Sequence, residues 1–420
     1  MKHQLQLQRR RNSLAEKILD NSVVILHSGY SKHLTADENY PFRVNNNFYY
    51  FTTINQEDTI LIIGKSHNKY FEKLFIAEPD ENYEKWIGHL LTKEEAAELA
   101  QFNVSDVEYV GNFKSYLDNL LQTSRFTMIK AEIVYLDLEK INVPLYNSFS
   151  LDLAHNLNND YPAVIIKDIY NEVIKLRMIK EDAEIELIKE SIKTTQHAIE
   201  EVMKHHKELD NESVAEAYYN FINTKEQKPL SFTSIIAGGV NATTLHYSEN
   251  NSKLNGDELL LMDVGCYTNY YASDITRTFP VSGKFNDRQK AVYEIVLDCN
   301  KKCIDYATAG ISWQELNQYA NHLLAQGLIK LGLIKEEIEF RKYYFHSIGH
   351  PVGLDVHDPA DRSLGIKEGM VITIEPGLYI KEWNIGIRIE DNILITGEKS
   401  IVLSKDIIKE IADIERFLEK

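Results

Sequence analysis

Four short apolar runs in the second half of the chain each carry an acid where a buried strand has no ordinary place for one. No other feature of the sequence restricts the fold as much. In ELLLMDVG, alternation with a period of two groups Leu259, Leu261 and Asp263 on one face; in ASDITRTF it groups Asp274, Thr276 and Thr278. In MVITIEPG the face is Val371, Thr373 and Glu375, and in IGIRIEDN it is Gly386, Arg388 and Glu390, with Ile387 and Ile389 opposite. Four strands are thus expected to aim one carboxylate each at a common target.

Ordinary solvent faces of amphipathic strands would be the simpler reading. It conflicts with the neighbours, because the same faces carry leucine, valine and threonine, and Asp or Glu is almost never fully buried unless paired or metal-bound. Acids gathered without a cation also repel: two carboxylates about 4 Å apart oppose each other by roughly 4 kcal/mol at an effective dielectric of about 20. Arg388 alone cannot offset four such charges. Two divalent cations could, since carboxylates hold metal pairs about 3.5–4 Å apart. His350, in HSIGHPVG, is the imidazole best placed to join them.

The same residues carry a family likeness. DVG, then DITRTFPVSGKF with ten residues between the two aspartates, then GHPVGLDVHD, EPGLY and GIRIED, together resemble the pita-bread metallopeptidases, the group containing aminopeptidase P, prolidase and methionine aminopeptidase. The resemblance implies that Asp263, Asp274, His350, Glu375 and Glu390 ligate a dinuclear centre. Asp274 and Glu390 would bridge, Asp263 would complete one ion's shell, and His350 and Glu375 the other's. It further implies an α+β catalytic domain with a curved, mainly antiparallel sheet, lined with acids inside and covered by helices outside.

Roles follow from the same resemblance. Glu375 would take a proton from the attacking water and pass it toward the leaving amine. His357, in GLDVHD, would stabilise the oxyanion, and His246, in TLHYSEN, would contact substrate. Alone, either histidine reads more simply as a core residue; the grouping of His346, His350 and His357 in one short segment beside the acids favours function, with His346 as a further pocket residue. Arg388, two residues before Glu390 on one strand face, is expected to hold that carboxylate by charge-assisted hydrogen bonds.

The first part of the chain alternates helix-like and strand-like segments and reads as an α/β domain over residues 1–168, leaving 169–420 to the catalytic domain. LQRRRNSLAEKIL predicts a helix; SVVILHSG, FYYFTTI, TILIIGK and KLFIAEP predict strands. TADENYPFRVNNNFYYFTT resembles the amino-terminal domain of aminopeptidase P, which would put Asp37 and Trp86 at the border of the active site or at an oligomer contact. A net charge of −17 argues against nucleic acid and anionic membranes, and the one basic run, Arg9 to Arg11, reads as a solvated helix face. With no apolar leader-like stretch and no membrane-length segment, the chain is expected to be cytoplasmic.

Between the halves, Ile185, Ile188, Ile192, Thr195, Ile199 and Val202 step by three and four along a helix, with His205 and His206 expected to be solvated at its end. A shorter helix is expected from Glu212 to Ile222. Asn286 or Asp287 starts a helix that buries Cys299 and Cys303, and Ser312 with Glu315 forms a capping box for another. Four carboxylates and one imidazole favour hard cations, manganese first, with cobalt or zinc as substitutes. The long amino-terminal domain points within the family to an Xaa-Pro aminopeptidase, acting on peptides with proline in second position and assembling as a homo-oligomer, dimer or tetramer. Prolidase is the near alternative, and a non-catalytic binding protein on the same fold the more distant one.

Overall fold

The computed structural model describes residues 5–122, 131–140 and 148–420. The chain forms two compact units, Leu5–Arg177 and Met178–Lys420. Helix Tyr170–Arg177 closes the first, where the Arg177 guanidinium donates to Asn47 Oδ1 at 2.6 Å. The division thus falls one helix later than the sequence boundary at 168.

The first unit is built on a six-stranded mixed sheet. Strand Ser22–His27 is buried along its whole length; it runs antiparallel to Ile60–Ser66 on one side and parallel to Ile133–Leu136 on the other. A strand buried on both faces reads as an unbroken apolar run, as SVVIL does. The segment expected as the strand FYYFTTI is instead helix Asn46–Thr52. Asn45 caps it, its side chain accepting from the Phe48 amide, and every residue from Asn47 to Thr52 is buried. A short, wholly buried aromatic run has no amphipathic period, so the cap decides its conformation.

The basic run also differs from expectation. Arg9 is exposed, but Arg10 and Arg11 are buried. Arg11 grips both carboxylate oxygens of Glu72 at 2.8 and 3.0 Å and donates to the carbonyls of Phe51, Ala100 and Gln101, at the ends of helices Asn46–Thr52 and Lys93–Ala100. A planar five-donor fork suits carbonyls left unpaired at helix ends, and this use outweighs solvation.

In the second unit, strand Leu259–Val264 pairs antiparallel with Ile235–Gly238 and with Ile275–Pro280; Val371–Ile374 pairs with Asp391–Leu394, and Gly377–Ile380 with Ile385–Arg388. Helices Asp182–Lys204, Glu212–Lys225, Asp287–Tyr306 and Trp313–Lys330 accompany these ladders, each burying an apolar face. The Ile185-to-Val202 stripe is buried as its period requires. His206, expected in solvent, is buried instead: its two ring nitrogens face the carbonyls of Val281 and Leu418, at 2.9 and 3.0 Å. Its partners lie far away in sequence, which local reading does not see. All three cysteines are buried and free.

Candidate metal centre

Only one of the four acids lies inside a strand. Asp263 is in Leu259–Val264, opposite Thr276 in the ladder. Asp274 immediately precedes Ile275–Pro280, Glu375 immediately follows Val371–Ile374, and Glu390 falls between Ile385–Arg388 and Asp391–Leu394. The run IGIRIEDN is therefore not one strand. It breaks where Glu390 gives its amide to the Thr276 carbonyl at 3.0 Å and Ile389 gives its own to Pro376 at 3.2 Å. Pro376 cannot donate to a ladder, so the strand before it must end, and Glu375 is left at the edge of the opening.

His350 reaches the acids from a loop. Its amide donates to Thr373 Oγ1 at 3.0 Å, and Gly349 permits the approach, since a Cβ there would fall 2.0 Å from the Thr373 carbonyl oxygen. The ring places Nδ1 3.0 Å from the Pro351 carbonyl. Nδ1 must therefore carry the proton, which leaves Nε2 facing Asp274 Oδ2 at 3.3 Å and Glu375 Oε1 at 3.7 Å.

These positions converge. Ligand atoms of Asp263, Asp274 and Glu390 lie within 4.8 Å of one another; so do those of His350, Glu375 and Glu390, and those of Asp274, His350 and His357. Asp274, His350 and Glu390 each belong to two groups. His357 thus lies beside Asp274, with its ring centroid 3.9 Å from that of His350.

A hydrogen-bonded frame surrounds the cluster. Arg388 donates from Nη2 to Asp263 Oδ2 at 2.6 Å, from Nη1 to the Tyr379 hydroxyl at 2.9 Å and from Nε to Thr276 Oγ1 at 3.1 Å. Thr276 in turn donates to Glu390 Oε2 at 2.7 Å. Arg388 therefore holds Asp263 directly and reaches Glu390 only through a threonine. His346 gives Nδ1–H to the Ser347 carbonyl and accepts from the Tyr379 hydroxyl at Nε2, both at 2.8 Å. Both its nitrogens are occupied within the protein, and burial with the Arg388 charge holds its pKa down to about 3. His246 lies in an exposed turn, near His346 and His357. Asp37 sits in the exposed turn between strands His33–Thr35 and Glu38–Asn39; Trp86, on helix Glu81–Ile87, is 88% exposed and so not a core residue.

Sequence comparison bears on this arrangement. Residues 186–397 match the model of metallopeptidase family M24, and residues 7–129 match that of the aminopeptidase P amino-terminal domain. The chain belongs to metallopeptidase family M24. Among M24 relatives, the Xaa-Pro aminopeptidase of Haemophilus influenzae is 32% identical over 98% of this chain and 97% of that protein. A Bacillus anthracis structure described as an aminopeptidase P is 39% identical, covering 100% of this chain and 99% of that one with a TM-score of 0.95. Aminopeptidase P from E. coli, solved with the inhibitor Pro-Leu, is 28% identical, covering 99% of this chain and 98% of that one with a TM-score of 0.89. The pita-bread arrangement, an amino-terminal α/β domain followed by a helix-covered antiparallel catalytic domain, is the fold of this chain.

An M24 chain should suit divalent metal ions, and this one does on three counts. Asp263 Oδ1 is buried without a hydrogen-bond partner among the described residues. His350 Nε2 faces carboxylate oxygens of Asp274 and Glu375 at 3.3 and 3.7 Å, where a shared cation would be held. Burial and the surrounding acids push Asp274 and Glu390 well above the usual carboxylate range, and burial raises Glu375 to about 7 against the pull of His350 and Arg388. Cations remove that strain. Sequence reading missed Tyr379 and Thr276, although both share a face with residues it had selected: Thr276 lies opposite Asp263, and Tyr379 lies two residues from Gly377, the ladder partner of Arg388.

Proposed function

We propose that the chain is a metal-dependent Xaa-Pro aminopeptidase that removes the first residue of peptides with proline in second position. The observation that carries this is the joint one: every donor type needed for a dinuclear centre converges in one place, within a chain similar over its full length to Xaa-Pro aminopeptidases. Asp263, Asp274, His350, Glu375 and Glu390 would hold two divalent cations, with Asp274 and Glu390 shared. Four carboxylates and one imidazole without a thiolate suit manganese first, with cobalt or zinc able to replace it. Bound there, the cations supply Lewis acidity, making a water acidic near neutral pH and polarising the scissile carbonyl.

The side chains do the rest. Glu375 takes the proton of the attacking water and delivers it to the proline nitrogen as the peptide bond breaks. His357 donates toward the carbonyl oxygen as it gains charge, and His246 holds the substrate from the exposed turn. Arg388 keeps Asp263 in place, and Tyr379 keeps His346 neutral with its Nε2 as acceptor. Two further readings belong here. Free buried thiols suit a reducing compartment and so the cytoplasm, and no described helix is long and apolar enough to cross a membrane. A homo-oligomer through the amino-terminal domain would give the exposed Trp86 a partner.

The test is hydrolysis of Arg-Pro-Pro beside the dipeptide Ala-Pro, with added manganese and after chelation. Release of arginine from the tripeptide, lost on chelation and restored by metal, is expected. Cleavage of the dipeptide alone would make the chain a prolidase, and activity untouched by chelation would remove the metal mechanism.

A further inference from the structure

We infer that Glu212, outside the metal centre, is a positioning residue that sets the turn presenting His246 to substrate; the inference rests on the reading of His246 as a substrate contact. Glu212 is fully buried at the first position of helix Glu212–Lys225. Its Oε1 accepts from the Gly238 amide at 2.8 Å and from Asn241 Nδ2 at 2.9 Å; its Oε2 accepts from the Tyr247 hydroxyl at 2.7 Å and from the Ser252 amide at 2.9 Å. The Glu212 amide also donates to the Ser252 carbonyl at 2.9 Å. One carboxylate therefore ties both ends of the segment 238–252 together, and through Tyr247 it fastens the immediate neighbour of His246.

Among the described residues no cation pairs with Glu212. Burying a carboxylate is unfavourable unless hydrogen bonds replace its water, and four donors at a helix amino terminus do so. The four donors also account for the residue type. An amide could accept from one pair only, and its own NH2 would face the other, where the Ser252 amide has nothing but a proton to offer. No hydrogen bond engages the His246 ring among the described residues, so what holds the residue in place is the backbone of the turn. That backbone is what Glu212 holds.

A mutant cycle on Arg-Pro-Pro hydrolysis with manganese tests this, using wild type, H246A, E212Q and the double variant, each checked for manganese affinity. E212Q should lower kcat/KM by about five- to tenfold, the size of one lost buried hydrogen bond, with manganese affinity unchanged. In the H246A background the same change should have almost no further effect, because residues acting through one another are not additive. Wild-type kcat/KM in E212Q, or its full loss persisting in the H246A background, would overturn the inference while leaving the role of His246 intact. Wild-type turnover in H246A would overturn both, and is told apart by that variant alone. Should E212Q fail to fold, Y247F removes a single donor and is carried through the same cycle, with the same outcomes deciding.

Discussion

Replacing Arg388 by lysine separates the geometry of the frame from its charge. The guanidinium makes three bonds in three directions, to Asp263, Tyr379 and Thr276. An ammonium on a flexible stem can keep the charged bond to Asp263 but cannot span all three positions. Tyr379 still donates to His346 and Thr276 still donates to Glu390, so neither hydroxyl loses its own proton's partner. The loss is two hydrogen bonds from a charged donor, at about 1.5 kcal/mol each, or about 3 kcal/mol, which is roughly 150-fold. R388K should therefore bind manganese about 100-fold more weakly or worse, at the upper end of the range of about 10- to 100-fold usual for residues that orient metal ligands. The measurement is a manganese titration followed by calorimetry, with kcat/KM at saturating metal as the companion. R388M also removes the charge, leaving Asp263 among buried acids, and should lower folding stability by about 3–5 kcal/mol. Wild-type manganese affinity in R388K would refute the view that the fork, rather than the charge, sets the geometry.

Further outcomes follow from the same structure. Glu375→Gln should reduce turnover by about 10²- to 10⁴-fold by removing the proton acceptor, while circular dichroism stays that of wild type, because the Glu375 amide keeps its bond to the Ile348 carbonyl; retained turnover would exclude Glu375 as the base. Chelation should lower the thermal midpoint, and manganese at 100 times its dissociation constant should restore about 2.7 kcal/mol, since the ions bind the folded cluster and not the unfolded chain; an unchanged midpoint would show that the acids do not need cations to stay together. Lys180 and Asp358 form a buried pair at 2.9 Å, each side chain 1% exposed. Lys180→Met removes the cation from the buried aspartate, which keeps the Asp355 amide at 3.2 Å on Oδ1, and should lower stability by about 3–5 kcal/mol in denaturant unfolding; a wild-type midpoint would mean that the Lys180 charge does not hold Asp358.

That the acids come together could be expected from the sequence because carboxylates set in apolar runs have few physical solutions, of which a set of cations is one; the shared strand faces, though, hold only for Asp263, the other three acids lying at strand ends. His350 was legible because it falls in a short segment between two of those acids. What sequence did not show depends on partners brought from a distance. Arg11 looked solvated until Glu72 and the carbonyl ends of two helices appeared beside it. His206 looked like a helix-end residue until Val281 and Leu418 enclosed it. The FYYFTTI run had the composition of a strand, and a single asparagine cap made it a helix. Glu212 read only as the start of a helix, since none of its four donors is its neighbour in sequence.

The placement of three of the four acids at strand ends explains why the frame residues matter. Inside a strand, the backbone of an acid is held by the ladder on both sides, as at Asp263, paired with Ile235 and Thr276. At Asp274 the ladder has not begun, and the side chain of Asn392 takes its place, accepting from the Asp274 amide at 3.2 Å and donating to its carbonyl at 2.7 Å. At Glu390 the ladder has broken, and Arg277 donates to the Glu390 carbonyl at 2.6 Å while its other nitrogen pairs with Asp391 at 2.8 Å. Lys409 completes that grip on Asp391 at 2.6 Å. Freed from the pleat, an acid can turn toward the centre at an angle that a strand interior forbids. The same freedom leaves its position to a few side-chain bonds rather than to the sheet. The two carboxylates shared between ligand groups are the two whose backbones are held in this way, so the spacing of the centre depends on Asn392 and Arg277 as much as on the acids themselves.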